Sequence, residues 1–122
     1  MSPSKRFVNV TIPTAADGLS PAVDLGEESL AAIQMPAAWT AAALTFQVSA
    51  DGVTYQSMYD SGNAEVTIAS AGVVASRFIT FVATLVDAFR AVRYLKVRSG
   101  VAATPVQQAA ARTLQLQLKQ RL

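Results

Sequence analysis

Residues 112–122, RTLQLQLKQRL, admit one regular structure. Leu114, Leu116 and Leu118 are spaced two apart, with Thr113, Gln115, Gln117 and Lys119 between and after them. Successive side chains of a strand point to opposite faces, so this order makes a half-buried strand with one leucine face and one polar face. A helix would scatter the three leucines around its circumference.

The period of two recurs along the chain. FVNVTI puts Val8, Val10 and Ile12 on one face and Asn9 and Thr11 on the other. Pro13 closes that run because it has no amide hydrogen for a ladder. ALTFQVS sends Leu44, Phe46 and Val48 inward and Thr45, Gln47 and Ser49 outward. Asp51-Gly52 is a hairpin turn, and VTYQSMY (53–59) is the returning strand. EVTIA (65–69) and VASRFITFV (74–82) read as two further strands. VRYLKVRS alternates Arg93, Leu95 and Val97 against Tyr94, Lys96 and Arg98. Weaker strands are expected around 22–25 and 29–35. Residues 82–91, VATLVDAFRA, have helical spacing at Leu85, Ala88 and Phe89 and read as a short helical turn. Together these give an all-β chain of eight or nine short strands, an antiparallel β-sandwich or jelly roll. The 122 residues fit a single domain, 1–122, with 1–6 expected as an N-terminal arm.

The chain has no cysteine and no histidine. That removes disulfides, zinc-thiolate centres, Ser-His-Asp and Cys-His triads and histidine metal sites. No catalytic residue, cofactor or metal is expected, and the chain is not read as an enzyme. Glu27/Glu28 and Asp60/Glu65 are formal carboxylate pairs for a glycosidase, but no cleft pattern surrounds them. Asp24, Glu27 and Glu28 around Gly26 match no calcium-loop spacing.

Charge is sparse and uneven. Charged residues make up 15% and hydrophobic residues 52%, which leans toward a surface committed to partners; the alanine content accounts for the same numbers equally well. Residues 1–76 carry Lys5 and Arg6 against seven carboxylates, a net of −5, and residues 77–122 carry +7. Acidic and basic strands lying side by side would pair these charges. Nucleic-acid binding is not expected, since no basic run or aromatic stacking platform accompanies the charge. The uncharged stretch 29–50 is long enough for a membrane span, but Gln34, Pro36, Thr40, Thr45, Gln47 and Ser49 punctuate it. MSPSKRFVNV lacks the apolar core of a signal peptide.

Six residues are candidates for an interface. Trp39 follows MPAA in a loop and either caps the sandwich core or faces outward to anchor a neighbour. Tyr94, Lys96 and Arg98 share one strand face, and Arg112 adds to their basic patch. Gln115 and Gln117 make an amide face. Arg93 falls on the inward set with Leu95 and Val97 and, if buried there, needs a carboxylate partner.

LTFQVSADGVTYQSMYD followed by AVRYLKVRS resembles the discoidin-like, galactose-binding-type jelly rolls, in which an SxDGxxW hairpin precedes an aRYIRI-like strand. Tyr55 stands where that pattern has tryptophan. A broader resemblance covers residues 25 to 118. IQMPAAWTAAALTFQVSADGVTYQSMYD, VRYLKVRSG and TPVQQAAARTLQLQL are similar to small β-sandwich structural proteins of tailed bacteriophages, some of which decorate or cement the capsid. The resemblance implies a virion protein made in the host cytoplasm and bound to the outer face of the capsid. It implies the major capsid protein as partner and self-association, with a trimer favoured. The alternative is a carbohydrate-binding module, or a head-fibre or adhesion base, with a glycan as ligand.

Overall fold

The computed structural model describes residues 5–120. Residues 1–4 of the expected arm lie outside the described residues, and Lys5 and Arg6 already belong to the first strand. The strands are β1 (Lys5–Ile12), β2 (Val23–Asp24), β3 (Glu28–Gln34), β4 (Leu44–Ser49), β5 (Gln56–Ser57), β6 (Phe78–Thr80), β7 (Tyr94–Val101), β8 (Thr104–Pro105) and β9 (Arg112–Gln120). One short helix, α1 (Ala83–Ala88), stands where helical spacing is expected.

All strand pairs are antiparallel. The first sheet runs β1-β9-β3-β6; the second runs β2-β7-β4-β5, with β8 folded back onto β7. The result is an all-β antiparallel sandwich with nine strands among the described residues. β9 sits inside the first sheet, and its three leucines are fully buried. They meet Ile12, Leu30 and Ile33 from their own sheet and Leu44, Phe46, Leu95 and Val97 from the other in one core. α1 delivers Phe89 into this core, where its ring meets Phe46 edge-on at 4.9 Å.

β3 needs a correction to its own periodicity. Leu30 and Ile33 are three residues apart, so a regular strand would point them to opposite faces. Both are fully buried. Leu30 pairs with Leu118 and Ala32 with Gln117, so Ala31 is an extra residue that β9 does not match. This bulge restores both side chains to the core.

Several expected strands are shorter than their patterns. The returning strand 53–59 pairs only at Gln56–Ser57. EVTIA contributes single bridges, Glu65 to Tyr59 and Ile68 to Leu44. VASRFITFV pairs only at Phe78–Thr80, after a 3-10 turn at Ser70–Gly72. All lie at sheet edges, where turn geometry competes with the ladder. Asp51 Oδ1 accepts from the amides of Val53 and Thr54 and from the Ser49 hydroxyl, at 2.9 Å each. Asp60 Oδ1 likewise accepts from the amides of Gly62 and Ala64. These carboxylates hold the chain in loops where alternation alone predicts strand.

Deletion of Ala31 removes the unmatched residue and leaves Leu30 and Ile33 two apart, so a regular strand carries both to the core. The expected stability, read from urea unfolding, is within about 1 kcal/mol of the parent. A loss of about 2–3 kcal/mol or more, the cost of turning one such side chain to solvent, would show that the register does not close up across the deletion.

Candidate functional site

The outer face of the first sheet can be read row by row from its register. Phe7 pairs with Gln117, which pairs with Ala32, which pairs with Thr80. Asn9, Gln115, Gln34 and Phe78 form the next row, and Thr11 and Thr113 the third. Opposite residues share a face, so these rows make one surface of amides, hydroxyls and two phenyl rings. Gln117 Nε2 donates to Gln115 Oε1 at 2.6 Å, and the hydroxyls of Thr11 and Thr113 are 2.8 Å apart. Phe7 is 56% exposed and Phe78 53%. A hollow of about 290 Å³ lies beside the bulge, lined by Ala31, Phe78, Gln117, Leu118 and Lys119. Gln115 and Gln117 thus stand on the predicted face; Phe7 and Phe78 were missed, since only the register places them beside the glutamines.

The outer face of the second sheet carries the other candidates. Tyr94 and Lys96 are half-buried. Lys96 Nζ stands 4.5 Å from the centre of the Tyr55 ring, and the Arg93 guanidinium 5.0 Å from that of Tyr94. A Cβ on Gly52 would lie 3.2 Å from the Tyr94 ring, so glycine, with φ +78°, lets the turn rest against it. Arg93 is not in the core as its alternation suggests. It precedes β7 and makes an exposed ion pair with Asp24, whose hydrogen bond holds the Asp24 carboxyl below its ordinary pKa.

Arg98 is a correction. Alternation assigns its face correctly, but it is buried rather than available to a partner. Its Nη2 donates to Glu65 Oε2 at 2.7 Å and to Ser57 Oγ at 3.3 Å, and its Nε donates to Thr45 Oγ1 at 2.9 Å. Glu65 also accepts from the Ala102 amide, and Thr45 donates to the Gly100 carbonyl. The segment after β5 brings Glu65 across this end of the sheet, which also buries Thr45 on a face expected to be wet.

Trp39 is half-buried and packs against the core, with Nε1 donating to the Ala42 carbonyl at 3.3 Å. Its neighbour Thr40 is held by Gln108, a fully buried amide that nothing in the alanine-rich 105–111 stretch distinguishes by pattern. Gln108 Oε1 accepts from the Thr40 amide, and Nε2 donates to the Thr40 carbonyl and to Ser99 Oγ. Arg112 is held here too, donating to Gln108 Oε1 and Thr40 Oγ1, and not with Lys96.

Asp24 and Glu65 each join the acidic half of the chain to the basic half through Arg93 and Arg98. Glu28 pairs with Arg6. Among the described residues, no cluster of three or more His, Cys, Asp or Glu is placed to hold a metal ion. None of their helices is long and apolar enough to cross a membrane. A cleft of about 550 Å³ opens between the Asp51 turn and β5, with Val48, Met58, Val92, Tyr59 and Gln56 in its lining.

The chain matches no family model, no curated protein and no solved structure.

Two predictions follow from these contacts. Arg98→Met leaves Glu65 without its cation and costs about 3–5 kcal/mol, read from chemical denaturation; adding Glu65→Leu recovers most of it. A cost within error for the single change would show the pair to be dispensable. The Asp51 carboxyl is lowered from 3.8 to about 2 by the Thr54 and Val53 amides first and the Ser49 hydroxyl next. A depressed carboxyl stabilises the fold fully above its unfolded pKa, and that stability is lost as pH falls through its folded pKa. Asp51→Asn therefore flattens the fall in melting temperature between pH 4 and pH 2. An unchanged pH profile would count against these bonds.

Proposed function

We propose that the chain is a structural virion protein of a tailed phage, binding the outer face of the capsid as a decoration or cement protein. The observation that carries the reading is the outer face of the first sheet. Across these three rows two exposed phenyl rings flank an uncharged amide ladder, and the charged Lys119 stands in the adjoining row beyond Gln117, at the rim. Aromatic anchors surrounded by uncharged hydrogen-bonding groups are what a permanent protein interface uses at its centre. The partner is the major capsid protein, and the work is done by contacts, without catalysis or a cofactor. The resemblance of residues 25–118 to phage β-sandwich proteins supports the same reading. The second sheet, with its cation-covered tyrosines, then faces away from the shell.

Co-sedimentation with empty capsids of the phage that encodes the chain tests this. Gln117→Lys sets a charge in the middle of the face and weakens binding about tenfold or more, with an unchanged melting temperature. Tyr94→Ala leaves binding intact. A protein that stays in the supernatant with capsids in excess overturns the reading.

The cleft beside Tyr59 favours a second reading, a carbohydrate-binding module. It joins an apolar floor to a polar rim and an exposed aromatic wall, as sugar sites do. A glycan array separates the two: retention abolished by Tyr59→Ala supports the module, and no retention removes it.

A further inference from the structure

Three of the four sheet edges are short. β2 and β5 have two residues each and β6 has three. Short edges resist pairing with other chains. β1 is the exception: eight residues long, bound to β9 on one side, with no strand on its other side among the described residues. From Phe7 to Ile12 it carries no charge, no proline and no glycine. Its core-facing row is half-covered at the seam, where Val8 is only half-buried while Val10 and Ile12 are buried. None of the usual guards against edge pairing is present along this stretch.

We propose that β1 pairs antiparallel with β1 of a second copy of this chain, joining two first sheets into one continuous eight-stranded sheet. The strand's own pattern selects the occupant and the register. Directly opposite residues share a face, so a two-fold axis must pass through a residue position. With the axis at Asn9, Val8 faces Val10 of the second copy, Phe7 faces Thr11, Arg6 faces Ile12, and the two Asn9 amides face each other. The apolar row continues across the seam. The Asn9 amides are self-complementary, since each both donates and accepts.

Charge decides the direction and argues for a second copy. The cationic residues Lys5 and Arg6 lie at one end of β1, and Arg6 is paired to Glu28. Antiparallel pairing sets that end against the uncharged Thr11–Ile12 end. Parallel pairing would stack like charges, and the uncharged middle offers nothing to recognise a charged foreign strand. The pairing occupies an edge, so it leaves the amide-and-phenyl face open, and it stands apart from the capsid reading.

The absence of cysteine makes the test direct. Across an antiparallel pair, opposite Cα atoms lie about 5 Å apart, within disulfide reach. Asn9→Cys therefore oxidises to a covalent dimer, while Ser61→Cys, on the exposed Asp60 loop, stays a single chain under the same conditions. Light scattering on the unmodified protein gives twice the 12.8 kDa chain mass. Asn9→Lys sets two ammonium groups face to face on the axis and returns the mass to one chain. Asn9 is exposed, and far-UV dichroism and melting of this variant are expected to match the parent. The proposal is overturned by a one-chain or three-chain mass for the unmodified protein, by a dimer that survives Asn9→Lys, or by Asn9→Cys linking no faster than Ser61→Cys. Asn9 also stands on the amide-and-phenyl face, so the Asn9→Lys variant is read by its mass alone and not by capsid binding.

Discussion

The leucine stripe of β9 is the constraint on which the first sheet rests. β9 is paired along both edges, to β1 and to β3, so its register sets theirs. A slip of one residue against either neighbour would turn Leu114, Leu116 and Leu118 to solvent and bury the glutamines. The same alternation that fills the core therefore creates the amide surface outside it. The bulge at Ala31 shows how firmly this is set: where β3 does not match the period, the backbone yields and β9 does not.

Buried polar groups fix what the strands leave free. Arg98 gathers Thr45, Ser57 and Glu65, tying the long segment after β5 to the middle of the second sheet. Gln108 does the same at another loop, bonding both backbone groups of Thr40 as a neighbouring strand would. Their geometry satisfies donors and acceptors that would otherwise be costly to bury. In both clusters the side chains bind each other and the backbone; Glu65 also lines, with Asp60, a hollow of about 280 Å³.

Alternation made most of the fold legible. β1, β4, β7 and β9 stand where period two puts them, β3 stands at its expected place but breaks the period at Ala31, and α1 lies where the spacing of Leu85, Ala88 and Phe89 changes to helical. The edge segments were read as longer strands because Asp51 and Asp60 act through side chain to backbone bonds that leave no trace in hydrophobic spacing. Alternation gives the face of Arg98 but not its burial, because a local pattern says nothing of a distant loop closing over it. Gln115 and Gln117 were legible from their own strand. Phe7 and Phe78 were not, because their neighbours on the face belong to other strands and emerge only with the register. Trp39, which its sequence context leaves open between core cap and outward anchor, packs against the core edge and stays partly exposed.

The pairing of β1 with β9 has a consequence in time. These are the first and last of the described strands, and β9 is the inner strand that separates β1 from β3 in the sheet. While the chain is being synthesised, β1 and β3 wait with a strand-wide gap between them, and residues 112–120 fill it last. The second sheet has no such wait, since β4 and β7 can meet earlier. Closing of the first sheet then waits for residues 112–120 to emerge. Any truncation that trims β9 removes the seam joining its two neighbours as well as one strand.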